Sequence, residues 1–217
     1  ALLPYVRSLK NQFILISTGT WSIALNPFVE RTLSKKDVAD DCINYMRING
    51  KPVKSARLFL GNEYSIQVKK LTEHYGVDKD YHKTVKFDPE IHYEIVKEFE
   101  KLFKWESIDD PEMPEETHLR YTSFEDAYHH LMMELVLLQV ESIKSAKGNM
   151  TIEKLFVDGG FSDNDIYIHL LSHHFRTMEL RTTDSSLGSA LGAAICISDT
   201  QLNSKFLKKN YSMKKHI

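Results

Sequence analysis

The stretch with the most chemical content is Leu155-Phe156-Val157-Asp158-Gly159-Gly160-Phe161-Ser162-Asp163-Asn164-Asp165. An apolar run ends in an acid and two glycines, and a polar segment then leads into a helical pattern. A strand leaving through Gly159-Gly160 offers bare backbone at the carboxyl edge of a sheet, where open α/β sheets bind ligands. Glycine lets a flat ring or a phosphate approach the main chain. The helix that follows favours anions at its N-terminus, and Asn164 could donate to or accept from a base edge. The plainer reading is a strand-to-helix turn with Asp163 as its N-cap.

Two further stretches carry weaker signals. Ser17-Thr18-Gly19-Thr20-Trp21-Ser22 sets hydroxyls around a glycine between two apolar segments. Backbone N–H groups and a Thr hydroxyl there can together hold a terminal phosphate, although a polar turn has the same composition. Ser189-Ala190-Leu191-Gly192-Ala193-Ala194 puts small residues on one helix face. That suits either a plain buried helix or a tight crossing about which two domains pivot.

The elements that must position these residues follow from periodicity. Phe13–Ile16 and Trp21–Leu25 read as two strands of a hairpin with its tip at Thr18-Gly19. Residues 56–60 form a third strand candidate. Glu63–Tyr75 is amphipathic and stops at Gly76. Helical spacing recurs over 89–105, and the acidic, proline-bearing stretch 109–116 reads as a loop. A cap at Ser123 opens a long helix to about Ala146 that is apolar nearly all round in its middle. A strand over 154–157, a helix over 163–175, a strand over 178–181 and a helix over 185–197 complete the order. Strands alternating with helices in the second half argue α/β with parallel pairing there. The domain is expected over residues 1–200, with 201–217 as a basic, solvated tail.

Composition narrows the function classes. The chain has 217 residues and a formal net charge of −2, so nothing draws it as a whole toward nucleic acid or a membrane surface. Two distant cysteines, Cys42 and Cys196, give no disulfide framework and suggest reduced thiols and a cytoplasmic location. No run is apolar enough to span a bilayer. His169 and His173 share the i, i+4 spacing of a zinc pair but lack an HExxH context and a second cluster. Asp109-Asp110 with Glu115-Glu116 lacks EF-hand spacing. Both read as solvated charge, and no metal ligand is assigned. Trp21 and Trp105 form no basic aromatic stripe that would bind nucleic acid.

The order of the three signals says more than any one of them. A hairpin with Thr18-Gly19-Thr20, a strand followed by Gly61, a strand ending Asp158-Gly159-Gly160 and an Ala190-Leu191-Gly192-Ala193-Ala194 helix together resemble the C-terminal domain of the FGGY carbohydrate kinases. The resemblance covers roughly Ala1 to Ser198. It implies a ribonuclease H-like domain of the actin-like ATPase superfamily. The ISTGTWSIALN stretch is similar to rhamnulokinase, and the Asp-Gly-Gly…Asn and Ala-Leu-Gly-Ala-Ala elements to glycerol kinases.

Carried over residue by residue, the resemblance implies that Thr18, Gly19 and Thr20 form the hairpin that meets the γ-phosphate of ATP. Gly61 would lie by the nucleotide. Gly159 would shape the turn, Gly160 would pack against adenine and Asn164 would meet the base. Phe161-Ser162-Asp163 departs from the family's usual Gly-Ser-Arg, so a third glycine is lost. The family's catalytic Asp has no counterpart here and is expected upstream of Ala1. The implied whole is a kinase that transfers the ATP γ-phosphoryl, with Mg²⁺, to a ketose such as rhamnulose, fuculose or xylulose. Its partners are its own N-terminal domain and, as is common among these kinases, a second copy in a homodimer. The contrasting expectation is an actin-like nucleotide-binding module that senses or assembles without sugar chemistry.

Overall fold

A computed structural model describes residues 1–183, 188–198, 202 and 205–216. Its centre is one mixed seven-stranded sheet in the order β3-β4-β2-β1-β5-β6-β7. The strands are β1 (Phe13–Thr18), β2 (Ser22–Asn26), β3 (Cys42–Met46), β4 (Pro52–Leu58), β5 (Lys154–Gly159), β6 (Glu179–Thr183) and β7 (Lys214–His216). β1 and β2 form the expected hairpin, with Thr18 opposite Ser22. β5 lies parallel to both β1 and β6, as the alternating order predicts. Central strands with both faces covered need continuous apolar runs, and Phe13, Ile14, Leu15 and Ile16 are all fully buried.

Helices α3 (Leu60–Tyr75), α5 (Phe124–Lys147) and α6 (Asp165–His174) cover one face. α5 is the spine of that face. Ser123 caps it, accepting a hydrogen bond from the Asp126 N–H, and Gly148 ends it. Helices α1 (Leu2–Ser8) and α8 (Phe206–Asn210) line the other face, where Tyr5, Phe13, Phe156, Leu207 and Tyr211 form a second core. α7 (Gly188–Ser198) packs beside α1. Short helices α2 (Lys35–Ala39) and α4 (Pro89–Lys97) complete the set.

Three sequence readings change. The C-terminal segment is not a solvated tail: Leu207 and Tyr211 are buried and β7 pairs with β6. Apolar residues spaced between the lysines supply that contact. The helix predicted over 89–105 stops at Lys97. Beyond it, the Leu102 and Phe103 N–H groups donate to the buried Glu134 carboxylate, and those of Glu106 and Ser107 to Glu63. These acids on α5 and α3 replace helical hydrogen bonds and hold 102–107 as an irregular strap. β3 was not foreseen, although Asn49-Gly50, with Gly50 at φ +78°, is a hairpin signal. His129 and His130 are buried, and His130 bonds the Glu100 carbonyl and the Tyr121 hydroxyl. Of the helix expected over 185–197, residues 185–187 lie outside the described residues.

Candidate functional site

The carboxyl ends of β1 and β5 meet the N-terminal ends of α3 and α6 around a cavity of about 370 Å³. Gly19, Thr20, Gly61, Gly160 and Asn164 all line it, so five of the seven predicted residues come together from four separate elements. The volume is at the small end of the range for ligand pockets.

The glycines have three different reasons to be glycine. A Cβ on Gly61 would stand 1.9 Å from the Gly19 carbonyl oxygen. Its bare Cα lets α3 dock on the hairpin tip, and the Asn62 N–H then donates to the Thr20 carbonyl at 3.1 Å. Gly159 has φ +93°, and a Cβ there would meet the Thr18 carbonyl oxygen at 1.9 Å. It turns the chain out of the sheet. Gly160 differs from both: a Cβ there would meet nothing within 4 Å. No neighbour among the described residues requires a glycine at 160, and Gly160 lines the cavity.

Thr18 and Gly159 lie beneath the cavity instead of lining it. The Thr18 hydroxyl donates to the Asp158 carbonyl at 2.7 Å and accepts from the Phe161 N–H at 3.1 Å, which stitches the hairpin to the Gly-Gly turn. Gly19 donates its N–H to the Trp21 carbonyl at 2.8 Å. The exposed Thr20 has no hydrogen-bond partner for its hydroxyl among the described residues.

Asn164, not Asp163, is the N-cap of α6. Its side-chain oxygen accepts from the Tyr167 N–H at 2.9 Å, and its amide donates to the Tyr128 hydroxyl at 2.8 Å. The same amide also reaches the Met132 sulfur, at 4.0 Å. Tyr128 in turn bonds Tyr64 through their hydroxyls at 2.9 Å. Asn164→Ala removes the cap and one end of this chain. The expected loss is about 1–2 kcal/mol, read from urea unfolding midpoints.

Four lining residues were missed in the sequence: Asn62, Tyr64, Ser65 and Phe161. Asn62 and Ser65 stand three apart, one turn of α3, just after Gly61. That polar pair was the available signal. Phe161 is buried against Tyr64 at 5.0 Å between ring centroids. Hydroxyls, amides, aromatic edges and bare backbone thus line the cavity, and among the described residues no charged side chain does. That donor set fits a neutral, flat, hydrogen-bonding ring. Among the described residues no group of three or more His, Cys, Asp or Glu could hold a metal ion.

Asp158 sits below the site and is almost fully buried. Burial pushes its carboxyl up to about 6, against smaller opposing effects from the Gly159 N–H and the Thr183 hydroxyl. A carboxyl whose folded pKa is raised favours the fold only while protonated. Stability is therefore expected to fall by about 1–2 kcal/mol as pH rises from about 4 through about 6. Asp158→Asn should remove that window when unfolding midpoints of parent and variant are compared across it.

The architecture is a ribonuclease H-like fold: a mixed sheet with the β1-β2 hairpin at one end and a Gly-Gly turn beside it. Within it, residues 10–92 match the family model for the carbohydrate kinase FGGY C-terminal domain, and the resemblance drawn from the motifs is borne out. The fold is similar to that of a carbohydrate kinase from Novosphingobium aromaticivorans, at TM-score 0.67 and 17% identity over 98% of this chain and 44% of that one. It is similar to a xylulose kinase from Bifidobacterium adolescentis, at 0.57 and 16% over 92% of this chain and 40% of that one. It also matches a Plasmodium falciparum glycerol kinase solved with ADP, at 0.54 and 16% over 89% of this chain and 39% of that one. The chain spans less than half the length of each of these kinases. None of the curated protein sequences matches it.

Proposed function

We propose that this chain is the nucleotide-binding C-terminal half of an ATP-dependent sugar kinase. The observation that carries the reading is Gly160. No described atom lies within 4 Å of its side-chain position, and it lines a cavity shared with the hairpin tip and the start of α3. Adenine would lie against Gly160, with Tyr64 and Phe161 at its edges and Asn164 beside the base. Thr18 and Gly159 would support the site from below.

Gly19 and Thr20 keep different parts in this reading. The Gly19 N–H is engaged within the turn, so Gly19 would give a phosphate close approach to the backbone. Thr20, with its unpartnered hydroxyl, would donate to it. ATP would supply the phosphoryl group, and Mg²⁺, held by the phosphates and water, would neutralise charge on it. The residues here would bind and orient. An aspartate in an N-terminal kinase domain would take the sugar hydroxyl's proton, and closure of the two domains would limit hydrolysis of ATP by water. The substrate class is a ketose, with rhamnulose or fuculose first because of the Thr18-Gly19-Thr20-Trp21-Ser22 resemblance. The location is cytoplasmic.

The test is a coupled ADP-release assay with MgATP on the polypeptide that carries both domains, across rhamnulose, fuculose, xylulose and glycerol. Turnover raised at least tenfold above the sugar-free rate by one ketose is the expected result. No stimulation by any of the four would contradict the substrate class.

A further inference from the structure

A second cavity, of about 640 Å³, opens beside the C-terminal half of α6. It shares no lining residue with the cavity at Gly160. Six basic side chains line it from three elements and a turn: His92 of α4, His169 and His173 of α6, Arg176 just after α6, and Lys215 and His216 of β7. His169, His173 and Arg176 stand at i, i+4 and i+7, on one side of the helix. The pair with zinc spacing thus belongs to a larger basic cluster, and among the described residues no such group could hold a metal ion.

Little acid opposes this charge. Glu179 is the one carboxylate among the lining residues, and Arg181 engages it. Asp165, one turn before His169, accepts from the Phe87 N–H at 2.9 Å and stands 3.7 Å from the His169 Nδ1. His129 of α5, His174 of α6 and Lys214 of β7 add to the positive field at the cluster.

The cluster has capacity for a ligand. The His169 ring stacks on Phe87 at 4.9 Å between centroids, and its Nδ1 bonds the Asp165 carbonyl at 2.9 Å. Its Nε2 then accepts when the ring is neutral and donates when it is protonated. Arg176 donates to the His173 Nδ1 at 2.7 Å, a bond that needs that nitrogen unprotonated. Protonation of His173 breaks it and sets two cations side by side, which an anion between them would stabilise. Burial lowers the pKa values of His92 and His216, and their neighbours His173 and His169 lower them further. A bound anion acts in the opposite sense, so binding takes up protons and affinity rises as pH falls. Phe87, Met178 and Leu180 give the same cavity an apolar wall, and its volume is within the range for small-molecule pockets.

We propose that this cavity binds a phosphate group, free or esterified to a small organic molecule, held by Arg176 and Lys215 and clamped by the four histidines as they protonate. Arginine's planar fork suits phosphate oxygens. The site does not depend on the kinase reading.

Sulfate is the first probe, because its charge stays constant where histidine titrates. It is titrated into the isotopically labelled chain at fixed ionic strength and followed through the imidazole resonances. Saturable shifts of His92, His169, His173 and His216 are expected at about pH 6, with His74 and His118 fixed. Affinity should be at least fivefold higher at about pH 5.5 than at about pH 7.5. Arg176→Gln should weaken it at least tenfold, with circular dichroism unchanged. Phenyl phosphate and inorganic phosphate then separate the two sources. An ester at least threefold tighter assigns the apolar wall to an organic group, and equal affinity assigns the site to the free ion. No saturable shift at the four rings, shifts matched by His74 and His118, an affinity unchanged by pH, or equal affinity in Arg176→Gln and the parent overturns the proposal.

Discussion

Gly159→Ala is expected to destabilise the domain by about 3 kcal/mol or more, shifting the thermal midpoint down by roughly 10 °C. Two independent strains add. The φ of +93° is one that residues with a Cβ rarely adopt, and the new Cβ would meet the Thr18 carbonyl oxygen at 1.9 Å. That oxygen belongs to the backbone of β1, paired with β5 through Thr18 and Gly159, and cannot swing aside like a flexible side chain. The Thr18 hydroxyl, 2.9 Å from the added atom, would also lose its place between Asp158 and Phe161. Gly160→Ala, one residue on, provides the control. With nothing within 4 Å of the added carbon, its midpoint should stay within about 0.5 kcal/mol of the parent. Equal midpoints for Gly159→Ala and the parent would show that the turn is not built as described.

Gly160→Val should behave in the opposite way. The fold should persist, because the side chain enters open space, while nucleotide binding falls at least tenfold. Valine's methyl groups would occupy volume that a bound ring needs, and a cavity of about 370 Å³ leaves little room to shift the ring elsewhere. Differential scanning calorimetry and ADP titration on the same preparation separate the two effects. A variant that is both stable and unimpaired would remove Gly160 from the site.

These two glycines also show what the sequence could and could not convey. The Asp158-Gly159-Gly160 motif placed the strand end and the turn, and the hydrophobic runs placed β1, β2, β5 and the long helix. A run of glycines does not say which one relieves a clash and which one leaves space. That depends on Thr18, far away in the chain, crossing beneath Gly159 and not beneath Gly160. Asn164 was legible as a polar group beside the base, but its capping bond and its bond to Tyr128 need the α5 register. The irregular strap over 102–107 was unreadable locally. Its apolar spacing resembled a helix, and the Glu63 and Glu134 carboxylates that replace the helical bonds come from distant positions. The C-terminal segment misled through composition: its five lysines suggest a solvated stretch, yet Leu207 and Tyr211 decide where it packs.

The central claim is that a nucleotide base lies against Gly160 between the hairpin tip and α3. An ADP titration of the isotopically labelled chain, followed through its glycine amide resonances, tests this most directly. The account predicts saturable shifts of Gly19, Gly61 and Gly160 with a Kd of the order of 0.1–1 mM. Gly50, Gly76 and Gly148, at turns away from the cavity, should stay fixed. Shifts confined to those three, or no shift at Gly160 at saturating ADP, would contradict it.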